Sequence, residues 1–527
     1  MKKLILIFTA QFLLSSVVFA ETIISPSDDS IIADTVWTAS ESPYFVNRHV
    51  YIPEGVTLTI EAGAEILMQN GRKFDVFGSL NVLGTEANKV NITAQDEELI
   101  VDETSSSLRW GGIVFYEGSK GVLEHADIRY AGPNSVFPQP GGPAIYNIGG
   151  EVSVKNSNIS KIHQLAMYLK SGTTTVENTV VDESAVGIVA ENGSLVIRNS
   201  TISNVKEAPL HVSVGVTSFV SHNNFFKNNN DYVVLDIATD FDLQNNIFEN
   251  NYFNHWVIGG SISHGKTRTL GPIDQRPVIV SGIIVEEGGI LNIEPGTILK
   301  VLGGNHLASR GGKMFVNGTE EQPVILTTVL DDSVGGSVGN AELPTHFQWM
   351  RAHAGIVAEN GGEISVSNMW IKNAGAGWLL DPFNTAFSAI LNNGGVINGN
   401  NIEIFDTSHD SAIQHHIGTT TLSSISVDGG FNNVVKYNEG YLKIENSNLH
   451  PTYTNYSLIN QNNFGIPDVR NNWWGTPEGP HHESENSLGT APSIVGNALF
   501  APWLGQPPTA TSSPGHNPVI IVPGIMG

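Results

Sequence analysis

Residue types able to do chemistry gather at a few places in this chain. His481, His482, Glu483 and Glu485 follow Trp473 and Trp474 closely, a set that could hold a metal or present a sugar beside an aromatic platform. His409, Asp410 and His415 fall within one short segment and are candidate zinc ligands. The neighbouring His416 would point the opposite way in a strand, so His415 and His416 cannot both reach one ion. Gly335-Gly336-Ser337-Val338-Gly339 matches the Gly-x-Ser-x-Gly nucleophile pattern. That pattern needs a buried strand before it and a helix after it to strain the serine. Here it follows Asp331-Asp332 in a glycine-rich stretch, so a loop is expected.

Glycoside hydrolysis needs two carboxylates ~5 to 9.5 Å apart. Asp182 and Glu249 occupy one register position three repeats apart, roughly 14 Å at ~4.8 Å per coil. Lys227 stands beside Glu249 and is expected to bridge it. Asp96-Glu97-Glu98 and Asp331-Asp332 are acidic enough for a calcium-dependent lyase, which also needs a base. Both fall in loops, where such acids are more often just solvated. No cofactor is predicted; calcium is the one these acids could take.

The elements that must position such residues are read from a repeat. Asn156, Asn178, Asn199, Asn223 and Asn245 recur at spacings of 22, 21, 24 and 22. Three residues after each stands Ile159, Val181, Ile202, Phe226 or Phe248. Four before stands Val152, Thr174, Leu195, Phe219 or Phe241. A period near 22 in strand-like sequence predicts an all-β parallel β-helix solenoid, in which each coil buries its apolar face on its neighbours. Parallel crossovers make it right-handed. Asn suits a left-handed corner, and its amide can hydrogen-bond from coil to coil. Lys155, Glu177 and Arg198 precede successive Asn residues as an outward-facing charge ladder.

One large duplication divides the chain. Gly55 to Gly63 matches Gly288 to Gly296, and Gly84-Thr85-Glu86 matches Gly318-Thr319-Glu320. The Asn column resumes at Asn368, Asn401, Ser424 and Asn446, with an inserted loop expected near Ala374 to Asn384. The boundaries read as a signal peptide over 1–20, β-helix segments over 21–265 and 266–504, a Pro/Ser/Thr linker over 505–517 and a new strand over 518–527. The Leu-x-Ile-Glu-x-Gly openings, with Asn471-Asn472-Trp473-Trp474-Gly475, Gly479-Pro480-His481 and Phe500-Ala501-Pro502-Trp503-Leu504, resemble secreted bacterial right-handed β-helix repeat proteins. That group shares an architecture rather than one activity. Within it, Trp473, Trp474 and Trp503 are expected to plug the open end of the solenoid.

The segment Pro518 to Gly527 looks like the first core strand and oxyanion loop of lipase-like α/β-hydrolases, including the lecithin–cholesterol acyltransferase-like group. The resemblance implies an oxyanion-loop role for Pro523, Gly524, Ile525, Met526 and Gly527. It also implies a longer parent enzyme.

Composition sets the surroundings. Lys2 and Lys3, an apolar run and Val18-Phe19-Ala20 read as a secretory signal, with no transmembrane segment expected after cleavage. Cysteine is absent, so stability must come from the core. The 51 acidic against 26 basic residues disfavour nucleic acid and anionic lipid as partners. Acidic polysaccharides are disfavoured too unless calcium bridges the two. The expectation is a secreted or cell-surface β-helix, itself non-catalytic, acting as binding or spacer region for a lipase/esterase-like domain. Its partner would be a polysaccharide or a cell-envelope component. Two alternatives stay open, a polysaccharide-binding or -cleaving β-helix and a structural or adhesive surface protein.

Overall fold

The computed structural model describes residues 21–25, 31–101, 107–132, 142–339, 355–374, 388–450, 456–460 and 464–508, without the side chains of 406–410 and 430–432. The expected signal peptide, the segment 518–527 and nearly all of the expected insertion lie outside these residues. The chain forms two compact units, one through Gln164 and one from Leu165. Both are parallel β-solenoids, as the repeat predicts.

In the first unit, alternation makes the strands. Thr57–Glu61 buries Leu58 and Ile60 and turns its threonines outward. It pairs in parallel with Ser79–Leu83, which pairs with Lys120–Glu124, which pairs with Glu151–Lys155. Ile60, Val82, Leu123 and Val154 therefore lie over one another in a fully buried column. The neighbouring column runs Leu58, Leu80, Gly121, Val152. Gly121 is required there, because a Cβ would lie 2.4 Å from the ring of Phe115. The duplicated opening of the second half, Ile290–Ile293, is a strand of the same kind.

The second unit carries most of the asparagine column. Asn178, Asn199, Asn223 and Asn245 all adopt φ between 49° and 55°, as do Asn368, Asn401, Ser424 and Asn446. This is the left-handed region, which costs L-residues ~1–2 kcal/mol and which Asn tolerates best after glycine. The amides pass hydrogen bonds along the column, Asn223 Nδ2 to Asn199 Oδ1 at 3.2 Å and Asn245 Nδ2 to Asn223 Oδ1 at 3.3 Å. Glu177 and Arg198 stand in register just before it, as expected. Lys227 and Glu249 are in register too, but they form no ion pair. The Lys227 ammonium instead lies 5.3 Å from the Phe225 ring on its own strand, which corrects the expected bridge.

Two further ladders sit beside the first. Five residues on, Glu183, Asn204, Asn228 and Asn250 form a second left-handed corner. One residue on, Thr179, Ser200, Asn224 and Asn246 point into the core. There the backbone N–H of each donates to the side chain of the next coil, Thr179 to Ser200, Ser200 to Asn224 and Asn224 to Asn246. Buried polar groups are tolerated because they are paired. At the last of these coils Asp274 accepts from Asn245 N at 2.8 Å and Asn246 N at 3.2 Å.

The stretch Gly259 to Pro277 holds strand residues as well as turns of the solenoid. Trp256–Ile262 pairs with Val278–Glu286, and Thr267–Leu270 with Ile290–Ile293. Coils therefore continue in parallel register across it.

Candidate functional site

The outward face just before the corner asparagines changes character along the second unit. Lys313 pairs with Glu363 at 2.9 Å, Lys443 with Glu445 at 2.8 Å and Arg470 with Asp468 at 2.7 Å. On the strands of Lys313 and Glu363 and on the strand paired after them, the positions nearer the corner are uncharged. Asn317 registers with Ser367, and Ser367 with Asn400. Ser365 likewise registers with Asn398. Ser423 Oγ extends the row by donating to Asn400 Oδ1 at 3.0 Å. Asn317, Ser365, Ser367, Asn398 and Asn400 line, with Val316, Val366, Gly399 and Thr421, an open groove of about 300 Å³. Asn317, Asn398 and Asn400 are exposed, each amide offering donors and an acceptor. A groove of amides and hydroxyls without net charge is suited to neutral, hydroxyl-rich ligands.

Past the same corner lies a second depression, about 440 Å³, lined by Thr328, Leu330, Asp331, Asp332 and Asn373. Its wall is a strap, residues 329–339. Lys300 is wholly buried beneath it and donates from Nζ to Asp331 O at 2.8 Å and to Gly336 O. Val329 and Val338 pack on Phe253, Val257, Ile279 and Leu302. The far end is pinned where Asn254 N donates to Val338 O at 2.7 Å. His255 Nδ1 meets the same carbonyl at 3.1 Å. Burial pushes the His255 pKa down to about 4, so a neutral ring makes this contact. Burial likewise lowers Lys300 to about 8 despite Asp332 and Asp331 nearby, with Lys372 adding to the fall.

Asp331 is fully engaged. Its carboxylate accepts from Ser333 N at 3.0 Å and Thr327 Oγ1 at 2.7 Å, and Lys372 Nζ lies 3.4 Å away. Burial alone would raise its pKa, but the Ser333 and Thr327 bonds and the Lys372 charge outweigh it and hold the carboxyl below the usual range. An ionised, saturated carboxylate is a structural anchor rather than a proton carrier. The first unit repeats the motif, with Thr93 Oγ1 donating to Glu97 and Arg129 at 3.4 Å from the same carboxylate. Lys300 is new to the second half. Its partner across the ladder is Thr327, whereas Leu67 pairs with the equivalent Thr93.

Glu403 was not singled out by the sequence. It registers with Trp370, its hydrogen-bond partner, and burial raises its pKa. Phe405 packs edge-on against Trp370 at 6.0 Å. Glu403 stands two residues past a corner asparagine, the position Trp370 and Trp473 also hold relative to Asn368 and Asn471. A search of that register for acids would have found it.

The sequence candidates fall as follows. Trp474 is in the core with Phe500. Trp503 donates from Nε1 to Pro477 O at 2.9 Å and covers Gly479. Trp473 is half-buried and joins the ladder opposite Asn448. His482 accepts at Nδ1 from Glu485 N at 3.2 Å, holding a turn in which Glu483 is exposed and His481 bonds through its backbone to Ala491 O. His415 points inward, stacks on Tyr437 at 5.5 Å, and meets Thr420 Oγ1 at 2.9 Å. The side chains of His409 and Asp410 lie outside the described residues, as do Pro523, Gly524, Ile525, Met526 and Gly527. Among the described residues no cluster of three or more His, Cys, Asp or Glu is placed to hold a metal. Ser337 is exposed in the strap and donates to Gly339 O, far from a nucleophile elbow.

A family profile described as "Right handed beta helix region" matches residues 144–271. No curated protein sequence matches the chain. Among solved structures, the catalytic domain of Agl-KA is similar at 16% identity, over 85% of this chain and 61% of that one, with a TM-score of 0.17. The chain thus spans less than two thirds of that structure, and so low a score carries no argument about activity.

Proposed function

We propose that residues 21–504 are the non-catalytic β-helix module of an exported protein, holding a lipase/esterase-like domain that begins near Pro518 close to a neutral glycan surface. The observation that carries the binding role is the groove of Asn317, Ser365, Ser367, Asn398 and Asn400, whose lining holds no charged side chain although Lys313 and Glu363 pair at the far end of two of its strands. In a chain with a net charge of −25, such a window favours neutral polymers over acidic ones. A glycan array probed with the full chain tests it. Binding to neutral polysaccharides, lost in the double variant Asn398→Ala/Asn400→Ala, is expected. Unaltered binding by that variant, or none on any glycan, sinks the role. The hydrolase link is tested by the coding sequence beyond Gly527, which should specify a Gly-x-Ser-x-Gly with later Asp and His; an immediate stop codon removes it.

A second reading, polysaccharide cleavage, is favoured by Glu403. A half-buried carboxyl beside Trp370, with its pKa raised by burial, has the character of a general acid. Release of reducing ends by the wild type but not by Glu403→Gln would support it.

A further inference from the structure

Arg109 is only 6% exposed in a protein with 51 acidic side chains, yet among the described residues no carboxylate reaches it. Its NH1 donates to Lys161 O at 2.6 Å, and its Cζ lies 5.7 Å from the centre of the Tyr130 ring. Its Nε has no partner. His163, two residues beyond Lys161, is half-buried and has a buried Nδ1 without a partner. Burial and the Arg109 charge together lower its pKa, so the two groups sit close enough to repel. Lys161 adds a third basic group, with Nζ 5.3 Å from the Tyr130 centroid and 3.1 Å from its hydroxyl. Tyr130 and Lys161 are both left-handed corner residues, which brings these side chains to one side of the first unit.

A guanidinium stays charged in any protein environment, and a buried cation without a counter-ion is expensive. One backbone carbonyl and one aromatic face use only part of its five-donor fork. Among the described residues a charge of the opposite sign is missing. We propose that Arg109 and His163 form a binding site for one small oxyanion, a carboxylate or a phosphate group. The guanidinium fork matches either group, and the imidazole supplies one more donor. The overall negative charge repels polyanions, so the ligand is a single anionic group, free or at the end of a larger molecule. This inference is independent of the groove and of Glu403.

The test uses the full chain titrated separately with inorganic phosphate and with galacturonic acid, followed by calorimetry and by the His163 imidazole resonance. Saturable binding of one of them, with a shift of that resonance and at least a tenfold loss of affinity in His163→Gln, is expected. Phosphate alone or the uronic acid alone identifies the group. Arg109→Gln should abolish binding; should it fail to fold, the His163→Gln and resonance measurements still decide. Absence of binding by both anions, or an affinity unchanged in His163→Gln, overturns the assignment.

Discussion

Replacing Lys300 by Met gives the sharpest test of how the strap is held. In the folded protein the Lys300 pKa is about 8, against 10.5 ordinarily, with burial as the first cause. A lowered folded value means that the unfolded chain binds the extra proton between these limits. The contribution to stability is therefore complete above about pH 10.5 and is lost as pH falls through about 8. Integrated over pH 7 to 9, the wild type should gain about 1.3 kcal/mol that Lys300→Met cannot. The neutral amine keeps two N–H donors, matching the two carbonyls of Asp331 and Gly336. The strap is thus predicted to tighten, not open, in mild alkali. Urea unfolding of both proteins at pH 7, 8 and 9 measures the difference, because every other titrating group cancels between them. Parallel curves for the two proteins across that range would falsify the burial argument for Lys300.

Other outcomes follow from the ladders and the strap. Asn224→Ala leaves Ser200 N and Ile197 O without their partner, so it should cost about 2–3 kcal/mol in urea unfolding; an unchanged midpoint would mean the inner amides do not matter. At the outer corner, Asn223→Gly should be nearly neutral and Asn223→Ala destabilising by about 1–2 kcal/mol; equal effects would contradict the left-handed requirement. Asp331 has a lowered pKa, so its contribution is present above the ordinary carboxylate pKa and lost as pH falls through the folded value. Asp331→Asn should therefore flatten the acid limb of the stability curve below pH 5, and a limb as steep as that of the wild type would speak against the anchor role.

The outer Asn column could be read from sequence because a left-handed corner selects one residue type at a fixed period. The second corner could not, since Tyr130, Lys161 and Glu183 share it with asparagines and no composition marks it. The inner row of Thr179, Ser200, Asn224 and Asn246 breaks the rule that buried positions are apolar, and only coil-to-coil bonding shows why they are tolerated. Lys300 reads as an outward residue in Ile298–Val301; a strap arriving about thirty residues later buries it. Asp331 had the look of a solvated loop acid for the same reason. The groove was invisible because its signal is missing charge, spread over residues that are adjacent only in space.

The carboxylate of Asp274 receives the inner ladder at its last asparagine rung. Each Asn in the row accepts from the preceding rung and donates elsewhere, so another rung could be inserted between any two without changing the chemistry. The row is passed on by backbone N–H groups, and those of Asn245 and Asn246 both end on the Asp274 carboxylate. Segment length upstream of Asp274 is therefore open to growth by internal duplication, since each added rung would meet the same donors and acceptors.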